Sequence, residues 1–111
     1  MDVQPASVPR AHALADPASF DEIQDDALRK VLRTFLVGGR LPIIPRNGTK
    51  RSLLLGYLAT AFEPGVRYPE ADVNETVGVW NPDVAALRRY LVDAGLLARD
   101  HGLYWRAGGW V

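Results

Sequence analysis

Apolar positions recur at helical spacing along most of this chain and shift to strand-like spacing only near its end. Ile23, Ala27, Leu28, Val31, Leu32, Phe35 and Leu36 follow one another at intervals that predict an amphipathic helix from about Phe20 to Val37. Ser19 and Glu22 have the spacing of a capping box at its start, and Gly38-Gly39 marks its end. Arg40 to Pro45 reads RLPIIP. Each proline disfavours helix in the residue before it, so this stretch predicts an extended arm or an edge strand. Asn47-Gly48 predicts a turn, with Thr49 as the cap of a second helix over about Lys50 to Phe62. Leu53, Leu54, Tyr57, Leu58, Ala61 and Phe62 share one face of that helix, and Glu63-Pro64-Gly65 breaks it.

Val66 to Tyr68 is short, partly β-branched and aromatic, which predicts a small strand. Pro69 fits a helix start, where Glu70 and Asp72 complement the dipole. Val73, Val77 and Trp80 then make an i, i+4, i+7 stripe. Asn81 is the expected cap of the next helix, with Pro82 at its first position and Gly95 just past its end; Val84, Leu87, Leu91 and Ala94 point inward. Leu96–Arg99 and Leu103–Arg106 predict a hairpin around Asp100-His101-Gly102. The expected fold is α+β and mostly helical: a winged helix-turn-helix with an additional N-terminal helix and an extended arm. Residues 1–18, rich in Ala and Pro without apolar periodicity, predict a disordered leader. Residues 19–49 hold the N-terminal helix and arm, 50–106 the winged-helix core, and 107–111 a loose tail.

Composition narrows the chemistry. A chain of 111 residues has room for one domain. It has no cysteine, so disulfides, thiolate metal sites and cysteine nucleophiles are excluded. His12 and His101 lie at opposite ends, and no zinc-ligand spacing is present, so no metal is expected. Ser, Thr and His form no recognisable triad, and no Gly-rich loop precedes a helix in phosphate-cradle form. The expectation is a non-catalytic protein without a cofactor. No segment is apolar enough to span a bilayer, and the Met1-Asp2 start lacks a signal-peptide pattern, so no membrane role and a cytoplasmic location are expected. Residues 1–28 carry six acids and one base while the remainder carries twelve bases and seven acids, setting −5 against +5. The mildly basic remainder suits polyanion contact, and ordinary solvated charge accounts for it equally well.

The stretch GRLPIIP…KRSLLLGYLATAFEPGVRYPEADVN…DVAALRRYLVDAGLLAR…YWR resembles domain-of-unknown-function family 2087 over about Leu32 to Arg106. Gly39-Arg40-Leu41 and Ile44-Pro45 match its first motif, Lys50-Arg51 its basic pair, and Phe62-Glu63 the end of that helix. Tyr68, Glu70, Val73 and Asn74 match its central motif. Leu87-Arg88-Arg89, Leu91-Val92-Asp93 and Tyr104-Trp105-Arg106 match the last ones. The family usually carries a lysine just after Ile-Pro; here Asn47 stands there with Arg46 beside it, which shifts the basic loop. The resemblance implies a bacterial transcriptional regulator. Such domains also occur behind an arsenic-repressor-type domain or beside an acetyltransferase domain. The sequence ahead of Leu32 resembles neither, so metal sensing is not carried over.

Taking Pro82–Ala94 as the recognition helix and turning Leu87 and Leu91 inward puts Ala85, Ala86, Arg89 and Val92 outward, with Arg88 and Asp93 on the flanks. Arg89 is then placed to read guanine or grip phosphate, and Arg88 to grip phosphate. The bland counterpart is a surface ion pair between Arg89 and Asp93. Arg46, Lys50 and Arg51, with Arg40, form the densest basic cluster, at a helix start where lysine and arginine oppose the dipole; that favours phosphate contact over a local stabilising role. The tip Asp100-His101-Gly102 lacks the Arg or Lys expected of a minor-groove wing. Tyr104 and Trp105 are expected to close the hairpin over the core. Glu70 and Asn74 are expected to act as a helix-start charge and an amide holding the next turn. The leading expectation is double-stranded DNA binding; the alternative is a winged-helix module for protein contact without nucleic acid. The crowded apolar positions of the N-terminal helix predict either a homodimer through it or its packing across the back of the domain.

Overall fold

The computed structural model describes residues 5–108. The chain is α+β and about half helical, with one three-stranded antiparallel sheet. Helices α1 (Ser7–Leu14), α2 (Pro17–Phe20) and α3 (Asp26–Phe35) come first. Then follow α4 (Gly48–Leu58), a 3-10 turn (Ala59–Ala61), β1 (Tyr68–Pro69), α5 (Glu70–Gly78), α6 (Val84–Asp93), β2 (Leu97–Asp100) and β3 (Leu103–Arg106).

The disordered leader expected over residues 1–18 is corrected for residues 5–18; residues 1–4 lie outside the described residues. Val8, Ala11 and Ala15 of the α1 segment are buried in the common core. Pro9 falls in the first turn of α1, where its missing N–H would be unbonded in any case. Three side chains from elsewhere fix α1. Trp80 Nε1 donates to the Ala11 carbonyl at 3.0 Å and Tyr57 Oη to the Leu14 carbonyl at 2.7 Å. The buried hydroxyls of Ser7 and Thr76 lie 2.7 Å apart.

The helix expected from Phe20 to Val37 is shorter, Asp26–Phe35, and the separate turn α2 precedes it. Asp16 caps α2 by accepting from the Ala18 amide, and Pro17 sits at its first position. Ser19 lies inside this turn and donates back to the Asp16 carbonyl, so the capping box with Glu22 does not form. Asp25 instead caps α3 by accepting from the Leu28 amide at 3.1 Å. Leu28, Val31, Leu32 and Leu36 are buried within the same chain, where α3 packs on α4. Packing across the domain therefore accounts for the crowded apolar positions.

Gly38 and Gly39, at φ +61° and +78°, turn the chain so that Val37 and Arg40 exchange both backbone hydrogen bonds, at 2.8 and 3.1 Å. Two consecutive positive φ angles favour glycine at both positions. The following arm is not a sheet strand and bends at Pro42-Ile43. It is pinned at the fully buried Leu41, whose amide donates to Trp80 O at 2.8 Å and whose carbonyl accepts from Asn81 Nδ2 at 2.7 Å. Asn47, rather than Thr49, caps α4, so the helix begins before the expected Lys50. Leu54 through Ala59 are buried without interruption, which makes α4 the central helix.

Val73, Val77 and Trp80 are fully buried, as the stripe predicts. The start of α6 differs from expectation. Asp83 caps it through the Ala86 amide, while Asn81 Oδ1 accepts from the Asp83 amide and its Nδ2 holds the arm. Pro82 therefore precedes the helix. Leu87 and Leu91 face the core and Val84 is half-buried, but Ala94, expected inward, is exposed at the C-cap.

The hairpin closes on a two-residue turn, His101 and Gly102 at φ +50° and +79°, with Asp100 paired to Leu103. β1 joins the outer side of β3, pairing Tyr68 with Tyr104, so the sheet order is β1-β3-β2. The tail is not loose where it is described: Ala107 donates to the Leu96 carbonyl at 3.0 Å. Residues 109–111 lie outside the described residues. Among the described residues no helix is long and apolar enough to cross a membrane, and no group of three or more His, Asp or Glu side chains gathers for a metal.

Candidate nucleic-acid interface

The order α4–β1–α5–α6–β2–β3 is compatible with a winged helix, in which α6 and the hairpin take the places of recognition helix and wing. The exposed side of α6 is short and mostly small: Ala85 is exposed, and Ala86 and Val92 are half-buried. Arg89 is exposed on the same side, as the helical wheel predicts. It forms no ion pair with Asp93 among the described residues. Its guanidinium instead lies 5.9 Å from the centre of the Tyr90 ring.

Arg51 reaches the same ring from α4, at 5.0 Å. A guanidinium within about 6 Å of an aromatic centroid is attracted by the ring's quadrupole. Tyr90 thus joins the start of α4 to α6, and two site residues far apart in sequence meet on one side chain.

Arg88 is a correction. Its side chain is only 18% exposed and turns inward to α5, where Nη1 donates to Asn74 Oδ1 and Nε lies 3.5 Å from Glu70 Oε1. Tyr104 Oη donates to the same Glu70 oxygen at 2.7 Å. Glu70, Asn74, Arg88 and Tyr104 therefore tie α5, α6 and β3 together, and most of the Arg88 guanidinium is committed to this network. Asn74 does not hold the next turn of its own helix; its amide oxygen serves Arg88. Tyr104 is 1% exposed and closes the hairpin over the core as expected. Trp105 is half-buried and carries Arg67 over its ring at 4.2 Å.

Between α6 and the hairpin runs an open groove of about 410 Å³. Arg88, Arg89 and Arg99 line it, Ala85, Val92 and Tyr104 form its floor, and Asp93 is its one acid. Arg99, which the spacing of the hairpin predicts only as a strand end, is the further site residue. Its register was recoverable: a two-residue turn pairs Arg99 with Tyr104 across the strands.

Arg46 and Lys50 are exposed at the head of α4. Neither lines the α6 groove. Lys50 borders a different groove, toward α3. The expected cluster is thus split: Arg51 belongs with Arg89, Lys50 faces α3, and Arg46 follows the arm.

The chain is a small α+β domain in which Arg88, Arg89 and Arg99 line one groove between a helix and a hairpin. Residues 40–106 match the family described as an uncharacterized protein conserved in bacteria, DUF2087. That span is most of the chain, and the chain belongs to this family. The match begins at Arg40, after the Leu32 start of the sequence resemblance, so α1, α2 and α3 lie outside it. Comparison with curated proteins and with solved structures finds no match.

Proposed function

We propose that this chain is a DNA-binding transcriptional regulator of winged-helix type, with α6 toward the major groove and the hairpin as its wing. The observation that carries this reading is the alignment of Arg89 and Arg99 along one groove, with Arg51 joined to Arg89 through Tyr90. Phosphate contacts position a protein on a duplex, and base contacts specify the site. In this scheme Arg46, Lys50, Arg51 and Arg99 contact phosphate and Arg89 lies nearest the bases. Arg88 acts indirectly, by holding α6 against α5.

The test is a titration of mixed-sequence duplex by fluorescence anisotropy across salt concentration. Four phosphate-directed cations correspond to a log–log salt slope of about −3 to −4. No binding at low salt would overturn the reading. A second reading, a protein-contact module without nucleic acid, then takes its place. It is favoured by the small apolar floor of Ala85 and Val92 and by the acidic wing tip at Asp100.

A further inference from the structure

We infer that the groove between α3 and α4 binds a small amphipathic carboxylate, an aliphatic or aryl acid of modest size. The groove holds about 290 Å³, at the lower end of the range for small-molecule pockets, roughly 300–1,000 Å³. Val31, Phe35 and Leu53 form its apolar bed, and Lys30 and Lys50 stand beside them. This combination suits a ligand with an apolar body and one anionic end.

No carboxylate lines this groove, although residues 1–28 just before it are strongly acidic. Asp26, one helical turn before Lys30, is paired with Arg29. Neither Lys30 nor Lys50 takes part in an ion pair among the described residues. Two ammonium groups beside a partly desolvated apolar bed attract an anion more strongly than scattered surface lysines do, because the bed lowers the local dielectric. The hydroxyl of Thr34 donates back to the Lys30 carbonyl at 2.8 Å, which leaves the two lysines and the Thr49 hydroxyl as the anion donors of the lining.

The groove also has a particular origin. Its α4 wall lies in the family-matched span, while its α3 wall lies ahead of it. The N-terminal segment therefore builds a site that the matched span alone does not contain. Lys50 serves both surfaces. Where the DNA reading holds, a carboxylate seated on Lys50 neutralises a cation beside Arg46 and Arg51 and weakens phosphate contact. That consequence rests on the DNA reading, whereas the site itself does not.

The test uses the full chain and 4-phenylbutyrate, with 4-phenylbutanol as the uncharged analogue of similar shape. Binding is followed by amide chemical-shift changes. The expected result is saturable one-to-one binding of the acid, with shifts confined to α3 and the first turns of α4. Phenylbutanol binds several-fold more weakly. Lys30→Gln with Lys50→Gln weakens the acid about ten-fold, as two exposed ion pairs imply. Ala27→Leu, on the exposed lip of the groove, abolishes binding by filling it, and Arg89→Ala leaves it unchanged. All these positions are outside the buried core, and thermal melts check that each variant is folded. The inference is overturned by absent or non-saturable shifts, by shifts mapping to the α6 groove, or by equal affinity for acid and alcohol. It is also overturned if the chain dimerises through α3 without ligand, since a second copy would then be the occupant. Failure of duplex binding with intact phenylbutyrate binding rejects only the DNA reading.

Discussion

The indole N–H of Trp80 donates to the carbonyl of Ala11 across 3.0 Å, joining the end of α5 to the middle of a helix that precedes the family-matched span. Both residues are fully buried. Trp80→Phe keeps most of the apolar volume and removes the donor. It is expected to destabilise by about 1–3 kcal/mol, the cost of losing a buried hydrogen bond. Chemical denaturation measures this. A change within about 0.5 kcal/mol, as for an ordinary surface substitution, would mean that α1 is not held by this bond.

Leu91 is 1% exposed and Arg89 is exposed one helical face away. Leu91→Ala is expected to cost about 2–5 kcal/mol, the range for truncating a buried leucine. Arg89→Ala should cost no more than about 0.5 kcal/mol. Thermal and chemical melts that reversed this order would show that the register of α6 is wrong.

Arg88 and Arg89 are neighbours with different expected phenotypes. Arg88→Ala leaves Asn74 without its partner and Glu70 with Tyr104 alone, and should cost about 1–3 kcal/mol of stability. Its effect on duplex binding should follow stability and leave the salt slope unchanged. Measuring both quantities for Arg88→Ala and Arg88→Lys separates a positioning residue from a phosphate contact. A lowered slope in a fully folded Arg88→Ala protein would return Arg88 to the contact surface.

Burial raises the Tyr57 hydroxyl above its ordinary value of 10.0, opposed in part by the hydrogen bond with Ser19. A raised value in the folded state means that the folded protein holds this proton more tightly than the unfolded chain does. The contribution is complete below pH about 10 and is lost as pH rises through the folded value. Stability should therefore fall on the alkaline side. Tyr57→Phe should be less stable at neutral pH, having lost the bond to Leu14, and should show a shallower alkaline decline. Urea melts from pH 7 to 11 compare the two proteins. Parallel declines would rule out a Tyr57 contribution.

The basic residues separate by the kind of loss expected. Lys50→Ala with Arg51→Ala should weaken binding on every duplex and lower the salt slope by about two units; Arg99→Ala should lower it by about one. Arg89→Ala should cost roughly 1–3 kcal/mol on a preferred site and much less on random sequence. Anisotropy titrations across salt on both duplexes give all three results. Unchanged slopes in every variant would identify these cations as solvated surface.

Periodicity alone determined the buried faces of α5 and α6. Val73, Val77 and Trp80, then Leu87 and Leu91, repeat at helical intervals, and a continuous helix allows them one common face. The hairpin was legible in place but not in register: the expected turn Asp100-His101-Gly102 is one residue too long, because Asp100 pairs with Leu103 and His101-Gly102 alone turn the chain. Helix α1 was not legible. Val8, Ala11 and Ala15 are small and carry little signal, and a helix of eight residues has no stability of its own. It exists because Trp80, Tyr57 and Thr76 bind it from the far side of the domain.

The caps and the site followed the same division. Asn81 and Asp83 are both good caps by residue type. The choice fell to Asp83 because the Asn81 amide is needed by the carbonyl of the buried Leu41. Arg88 stood on the flank of its helix, where a long side chain reaches either solvent or a neighbour. Glu70 and Asn74 on α5 drew it inward, while Tyr90 brought Arg51 and Arg89 to a single ring. Local spacing fixes which face of a helix is apolar, but the destination of a polar side chain depends on partners distant in sequence, and only the packed domain brings those partners within hydrogen-bond reach.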